Sequence, residues 1–304
     1  MKVAVIANPI SGRGKSLARA KEVMQVLGRR GIETTFQESS PTLEPEAVDR
    51  FAAGADLLLL AGGDGTLMHL LPTLSRTGTP VYMLPTGNES LFAKQFGMNG
   101  SSEQLLRALE ERRVSEHYVP ELNSRPFFTM VSIGLDSQVI EAIARQRTGP
   151  IRRASYVLPV IRAALQHSPP RLSLSVDGRR VLSDRQGFLV IANNRQYAVG
   201  IGFVPEARSE APTLAARFFP CRTAIGYVFW SLRCLLNDVS VSGAPPFFEG
   251  TQFELDLSTE GSYPIQADGE HAGATPALVS STNKRIKVLE PPTAKLKPSP
   301  PSRP

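Results

Sequence analysis

Four short segments of this 304-residue chain carry residue types and spacings suited to work on phosphate. The most telling is Ala61-Gly62-Gly63-Asp64-Gly65-Thr66, preceded by the apolar run Leu57-Leu58-Leu59-Leu60 and followed by Leu67-Met68-His69-Leu70-Leu71. That order predicts a buried strand, a tight loop and a helix start. Gly62, Gly63 and Gly65 let the backbone approach a phosphate closely, and the first N–H groups of the helix point at negative charge. Asp64 would repel phosphates unless a divalent metal lay between them, so the loop suggests a metal-bound nucleotide. The plainer alternative is a strand-to-helix turn in which Asp64 is a capping residue.

The first loop, Asn8-Pro9-Ile10-Ser11-Gly12-Arg13-Gly14-Lys15-Ser16, narrowly misses the Walker pattern G-x-x-x-x-G-K-S. Pro9 stands where that pattern needs glycine, and it removes both a backbone donor and a positive φ. No carboxylate ends a strand as a Walker B residue would. Arg13 and Lys15 still suit phosphate neutralisation, against the plainer reading of a solvated basic turn. A third loop, Pro85-Thr86-Gly87-Asn88-Glu89-Ser90-Leu91-Phe92-Ala93, also lies between a strand and a helix that Asn88 can cap. Far downstream, Gln266-Ala267-Asp268-Gly269-Glu270 places two carboxylates around a glycine, which alone reads as a hairpin turn.

These segments need a scaffold. Residues 2–7, 56–60 and 80–84 are strand-like, and 15–30, 43–53, 66–76 and 101–112 carry helical patterns, an alternation that predicts a parallel sheet with helices on both faces. Ligands of such sheets lie at the carboxyl ends of the strands, so loops 8–14, 61–66 and 85–90 should gather along one edge. From about Pro120, alternating runs such as Leu172-Ser173-Leu174-Ser175-Val176 and Phe253-Glu254-Leu255-Asp256-Leu257 predict a mostly antiparallel β domain. The expected division is an α/β domain at 1–120, a β domain at 121–290 and a disordered Pro-rich tail at 291–304. Helical patterns interrupt the β domain at 151–167 and 223–237. The second carries Tyr227, Phe229, Trp230, Leu232, Leu235 and Leu236, and it reads either as a lipid-facing element or as a helix packed on the sheet.

Composition excludes several classes. The apolar fraction of 41% is that of a globular protein, and no apolar run reaches the ~18 residues of a membrane span. Cys221 and Cys234 show no metal spacing, which favours buried thiols in a reducing compartment. The strand-like start at Lys2 leaves no room for a signal peptide. Half of the net charge of +6 comes from Lys295, Lys297 and Arg303 in the tail, and no basic face interleaved with aromatics points to nucleic acid. His69, His117, His167 and His271 are scattered, and His271 reads as a solvated turn residue.

Taken in order, Asn8-Pro9 with Ser11-Gly12, Gly62-Gly63-Asp64-Gly65-Thr66, Pro85-Thr86-Gly87-Asn88 with Phe92-Ala93, and Asp268-Gly269-Glu270 resemble the diacylglycerol kinase catalytic-domain superfamily of lipid kinases. Secondary matches are Ser132-Ile133-Gly134-Leu135-Asp136, Asp177-Gly178, Gly149 to Tyr156 and Asn193 to Pro205. The resemblance implies an N-terminal α/β nucleotide-binding domain, a C-terminal β-sandwich, and ATP with Mg2+ in the cleft between them. It implies that Asn8, Ser11, Gly62, Gly63, Gly65 and Thr66, with Thr86 and Gly87 nearby, hold the nucleotide, that Arg13 and Lys15 supply cations, that Asp64 and Glu270 belong to the magnesium network, and that Asp268 takes the proton from a lipid hydroxyl. The implied partners are ATP and a lipid at a membrane surface, reached by a cytoplasmic protein with peripheral membrane association. A homodimer stays open.

Two departures stand out. Where many members of the superfamily have Asn-Asp before Phe-Ala, this chain has Ser90 and Leu91, and Glu89 is the nearest replacement for the missing metal-network carboxylate. The stretch Pro205–Leu214 lacks the Asp-Gly of the superfamily's acidic segment, which argues against a second, structural metal site. Two other functions remain open: an NAD kinase, which shares the Gly-Gly-Asp-Gly-Thr loop, and a catalytically weak lipid- or nucleotide-binding module.

Overall fold

The computed structural model describes residues 1–40, 44–86, 90–145, 168–195, 201–236, 243–258 and 261–292, and of Arg13 only the backbone. The helical pattern at 151–167, the loop residues Gly87, Asn88 and Glu89, and the tail from 293 onward lie outside the described residues.

The first half builds a six-stranded sheet. Strands β1 (Lys2–Ala7), β2 (Glu33–Glu38), β3 (Leu57–Gly62) and β4 (Val81–Pro85) run parallel in the order β2-β1-β3-β4. All six residues of β3 are buried, as expected of a central strand covered on both faces. Helices α1 (Lys15–Arg29), α2 (Pro45–Ala53), α3 (Asp64–Thr77) and α5 (Ser102–Glu111), together with the short α4 (Leu91–Gln95), fill the connections. The chain leaves β1 toward β2 on one side and returns to place β3 on the other. The strand order therefore reverses between β1 and β3, and the loops after these two strands open a crevice there.

Sequence reading passed over β2. Its residues Glu-Thr-Thr-Phe-Gln-Glu lie on the sheet edge with none fully buried, so no apolar alternation marks them. A second difference concerns the chain's end. The segment Arg285–Leu289 crosses back as β17 and pairs parallel with β4 and antiparallel with β5 (Val114–Tyr118), so the α/β sheet is completed by residues from within the stretch assigned by sequence to the second domain. Pro291 is buried behind it.

The remaining strands form one connected antiparallel sheet of eleven strands. Its spine is the 14-residue β10 (Arg179–Ala192), whose first half pairs with β9 (Arg171–Val176) and whose second half pairs with β8 (Met130–Ile133) and β11 (Leu214–Pro220). Register shifts between Arg180 and Arg185 let one strand serve both halves. Strands β14 (Pro264–Ala267) and β15 (Glu270–Ala274) finish the edge beside β8 and carry the late carboxylates back toward the first domain. One apolar core runs through both domains, from Val5 and Leu59 to Phe128, Phe218 and Val279.

Candidate active site

The crevice at the reversal of strand order is lined by the segments that the sequence singled out. At the end of β1, Asn8 Nδ2 donates to Thr66 Oγ1 at 2.9 Å, and Asn8 Oδ1 accepts from the Ile10 N–H at 3.1 Å. Ser16 Oγ donates to the Asn8 carbonyl. The first loop is a short 3-10 turn, Ser11–Gly14, and Ser11 Oγ lies 3.1 Å from Thr86 Oγ1. Gly12, at φ +57°, presses so closely on the third loop that a Cβ there would sit 2.3 Å from the Thr86 carbonyl oxygen. The three strand-end loops are thus joined by side chains of Asn8, Ser11, Thr66 and Thr86, all among the expected nucleotide-holding residues. Lys15 is exposed at the start of α1.

Gly63 is the N-cap of α3 with extended φ and ψ, and no side chain caps that helix. Its leading amides are therefore available to an anion. Asp64, the first residue of α3, turns away to another helix. Its Oδ2 and Oδ1 accept the Leu91 and Phe92 N–H groups at 2.8 and 3.0 Å. The capping role that sequence reading gave to Asn88 is filled from a distance by Asp64, because α4 starts only at Leu91 with Ser90 as an N-cap that makes no side-chain bond. Leu91 itself is buried, so the position of the missing carboxylate now packs in the core.

Asp268 and Gly269 form the two-residue turn between β14 and β15, with φ of +50° and +82°, the left-handed pair of a type I′ hairpin. The hairpin reading and the catalytic reading describe the same atoms. The turn aims the Asp268 carboxylate at the chain just before β8: Oδ2 accepts the Phe128 N–H at 2.7 Å, and Oδ1 accepts those of Thr129 and Met130 at 2.7 and 2.9 Å. Burial pushes its pKa up to about 6, the three amides oppose that rise, and the negative charge of nearby Asp64 adds to it. Of the roughly four lone-pair sites of a carboxylate, three are taken, and the one left belongs to Oδ2.

Glu270 lies over the start of α3, its Oε1 3.1 Å from where a Cβ on Gly65 would be. Its Oε2 takes Arg125 Nη2 at 3.1 Å, while Arg125 Nη1 donates to the His271 carbonyl at 3.1 Å. His271 is not a solvated turn residue, since its Nδ1 is buried. Gln266 braces the turn. Its Oε1 accepts the Gly269 N–H at 2.8 Å, and its Nε2 donates to Ser132 Oγ at 2.7 Å, which in turn donates to Asp136. Neither Arg125 nor Gln266 was assigned a role from sequence. Arg125 stands in no motif, but Gln266 directly precedes the Ala-Asp-Gly-Glu run and Ser132 and Asp136 belong to a secondary match.

A metal was tested against this donor set. Among the described residues no three acidic, histidine or cysteine side chains converge on one point. Asp64 and Glu270 reach the same loop from different domains, each already holding protein donors. Such a pair suits Mg2+ that arrives on nucleotide phosphates, which usually uses one or two carboxylates, and does not suit an ion held by protein alone. The Glu89 expected to join them lies outside the described residues.

Comparison with known proteins agrees with this geometry. Residues 2–119 match the family model of the diacylglycerol kinase catalytic domain. The chain is diacylglycerol-kinase-like. A diacylglycerol kinase of Mycobacterium tuberculosis is 23% identical over 313 residues, covering 95% of each chain. A crystal structure of a diacylglycerol kinase from Bacillus anthracis strain Sterne shares the fold, with a TM-score of 0.69 over 96% of this chain and 97% of that one, at 17% identity. An NAD kinase of Brucella suis is 26% identical over 146 residues, 47% of this chain and 48% of its own. The kinase-like assignment therefore covers nearly the whole chain through diacylglycerol kinases and about half of it through the NAD kinase.

Proposed function

We propose that this protein transfers the γ-phosphoryl group of Mg-ATP to the hydroxyl of a membrane lipid, diacylglycerol-like or sphingoid-like. The observation that carries the reading is the open lone pair of Asp268 Oδ2, held by backbone amides of one domain against the Gly62–Thr66 loop of the other. The uncapped start of α3 and the linked loops at Asn8, Ser11, Thr66 and Thr86 offer donors for the nucleotide phosphates. Lys15 and Arg13 lie on the neighbouring loop to offset charge. Asp64 and Glu270 would hold Mg2+, which when bound neutralises charge on the transferring phosphoryl group.

In this reading the lipid hydroxyl oxygen attacks the γ-phosphorus as the bond from that phosphorus to the β–γ bridging oxygen breaks, and ADP leaves. Asp268 Oδ2 accepts the hydroxyl proton. The backbone amides keep the carboxylate from rotating, and Gln266 keeps the turn that presents it.

The test is transfer of label from ATP, labelled in its γ-phosphate, to an organic-extractable product when the protein is given Mg2+ and detergent-dispersed diacylglycerol or sphingoid base. Asp268→Asn should lower turnover by at least ~10²-fold while ATP affinity changes little. Unchanged turnover in that variant would remove Asp268 from the mechanism. Label found on NAD would favour the second reading, an NAD kinase, which the partial likeness to the Brucella suis protein supports. Nucleotide binding without any transfer would favour a binding module.

A further inference from the structure

The helix Ala224–Leu235 follows β11 and rests on a small aromatic core separate from the main one. Trp230 and Cys234 are buried there, and Trp230 Nε1 donates to the Pro220 carbonyl at 2.8 Å. Burial pushes the Cys234 thiol up to about 12 and that of Cys221, in the same core, up to about 11. This inner face accounts for the reading of a helix packed on the sheet.

The outer face is a second finding. Ile225, Val228, Phe229, Leu232, Leu235 and Leu236 recur at helical spacing and are each between 46% and 79% exposed. Six large apolar side chains in twelve residues form a stripe and not scattered surface residues. Arg222 is exposed just before the helix, and the Arg233 guanidinium lies 5.2 and 5.8 Å from the Trp230 and Phe229 ring centres at the edge of the stripe. From Leu214 to Asn237 the chain has no acidic residue.

We infer that this face docks the protein on an anionic lipid bilayer, with the apolar stripe inserted in the interface and Arg222 and Arg233 on the headgroups. Charge selects the occupant. A second copy packed isologously on this helix would set four arginines together with no carboxylate from either helix, whereas anionic headgroups satisfy them. No helix among the described residues is long and apolar enough to cross a membrane, so the contact is with one leaflet's surface. The position also suits the chemistry, in which respect the inference rests on the lipid-kinase reading. The aromatic core under the helix passes from Trp230 through Phe219 and Phe188, with ring centres 5.7 and 4.5 Å apart, to Met130, whose N–H holds Asp268.

The test uses the full-length protein and sedimentation with vesicles of phosphatidylcholine containing phosphatidylglycerol, without ATP and without any hydroxyl-bearing acceptor lipid added. Trp230 is the single tryptophan, so its emission reports on this helix alone. Wild-type protein should sediment with the vesicles and change its tryptophan emission. Phe229→Ser and Leu232→Ser should each weaken binding about 10-fold or more, and Arg222→Gln about 5-fold at low salt. These side chains are exposed, so melting temperatures should stay near wild type. Activity on a water-soluble, short-chain diacylglycerol should survive in all three variants. That comparison separates the two readings: transfer without vesicle binding overturns the docking face and leaves the kinase, and vesicle binding without transfer does the reverse. A wild-type dimer that Phe229→Ser turns into a monomer overturns the inference in favour of a second copy.

Discussion

The rings of Phe92 and Phe128 meet edge to face, their centres 5.1 Å apart, and each residue's own N–H holds one of the site's two aspartates: Phe92 that of Asp64, Phe128 that of Asp268. The two residues come from different domains, so this contact sets the spacing of the two carboxylates across the cleft. Phe92→Ala should cost about 3–5 kcal/mol in urea unfolding, because a fully buried aromatic leaves a cavity. Phe92→Leu keeps most of that burial, yet it should lower turnover about 10-fold, since small misplacements of reacting groups are expensive in rate. Turnover that tracks only the folded fraction in both variants would show that the contact has no positioning role.

Asp64 offers a way to tell a metal ligand from a structural cap. Both its oxygens accept helix amides, so Asp64→Asn turns an NH2 toward an N–H donor. Without nucleotide or metal, the variant should lose about 1–2 kcal/mol of stability, the usual worth of a helix cap. A carboxylate that serves only a metal would give the opposite sign, because removing it relieves repulsion with Asp268. Equal or higher stability in the metal-free variant would rule out the cap as a stabilising element.

Much of this arrangement could be read in the sequence, and the unread parts share a physical cause. The central strand Leu57–Gly62 and the loops after it announce themselves through apolar runs broken by glycine. By contrast, Asp177-Gly178 and Asp268-Gly269 are both left-handed two-residue hairpins with the same local signature. Only the surroundings separate them. Asp177 is tied to Thr251 and Gln252 at a surface turn, whereas Asp268 faces three amides of a segment about 140 residues away. The return of β17 to the first sheet, and the pairing of Arg125 with Glu270, likewise depend on contacts across more than a hundred residues, which no local pattern records.

His117 predicts a pH dependence of folding. It is fully buried between Ser115 Oγ and Ser209 Oγ, each 2.8 Å from a ring nitrogen, and Phe96 covers it edge-on. Burial pulls its pKa below the ordinary value of 6.5, against the weaker opposing charges of Glu210 and Glu290. The unfolded chain therefore binds a proton that the folded one refuses, and stability present above pH 6.5 is lost as the pH falls below it. Melting temperatures taken from about pH 7 to about pH 5 should fall more steeply for wild type than for His117→Gln. Parallel slopes would show that His117 does not carry this dependence.

The last prediction concerns Gly12, where conformation and space make the same demand. Its φ of +57° lies in the left-handed region, and a Cβ would stand 2.3 Å from the Thr86 carbonyl oxygen, a backbone atom that has no free rotation with which to yield. Thr86 is fixed in turn, because its N–H donates to the Gly62 carbonyl at 3.0 Å and its hydroxyl meets Ser11. Gly12→Ala must therefore push the first loop away from the third and open the floor of the proposed phosphate site. The core strands are untouched, so the loss of stability should stay near the 1–3 kcal/mol expected of local backbone strain. The KM for ATP should rise about 10-fold or more, while the affinity for anionic vesicles, read at the distant helix Ala224–Leu235, should not change. Nucleotide affinity equal to wild type, with the same modest loss of stability, would mean that the contact between Gly12 and Thr86 shapes the fold alone and that phosphates bind elsewhere.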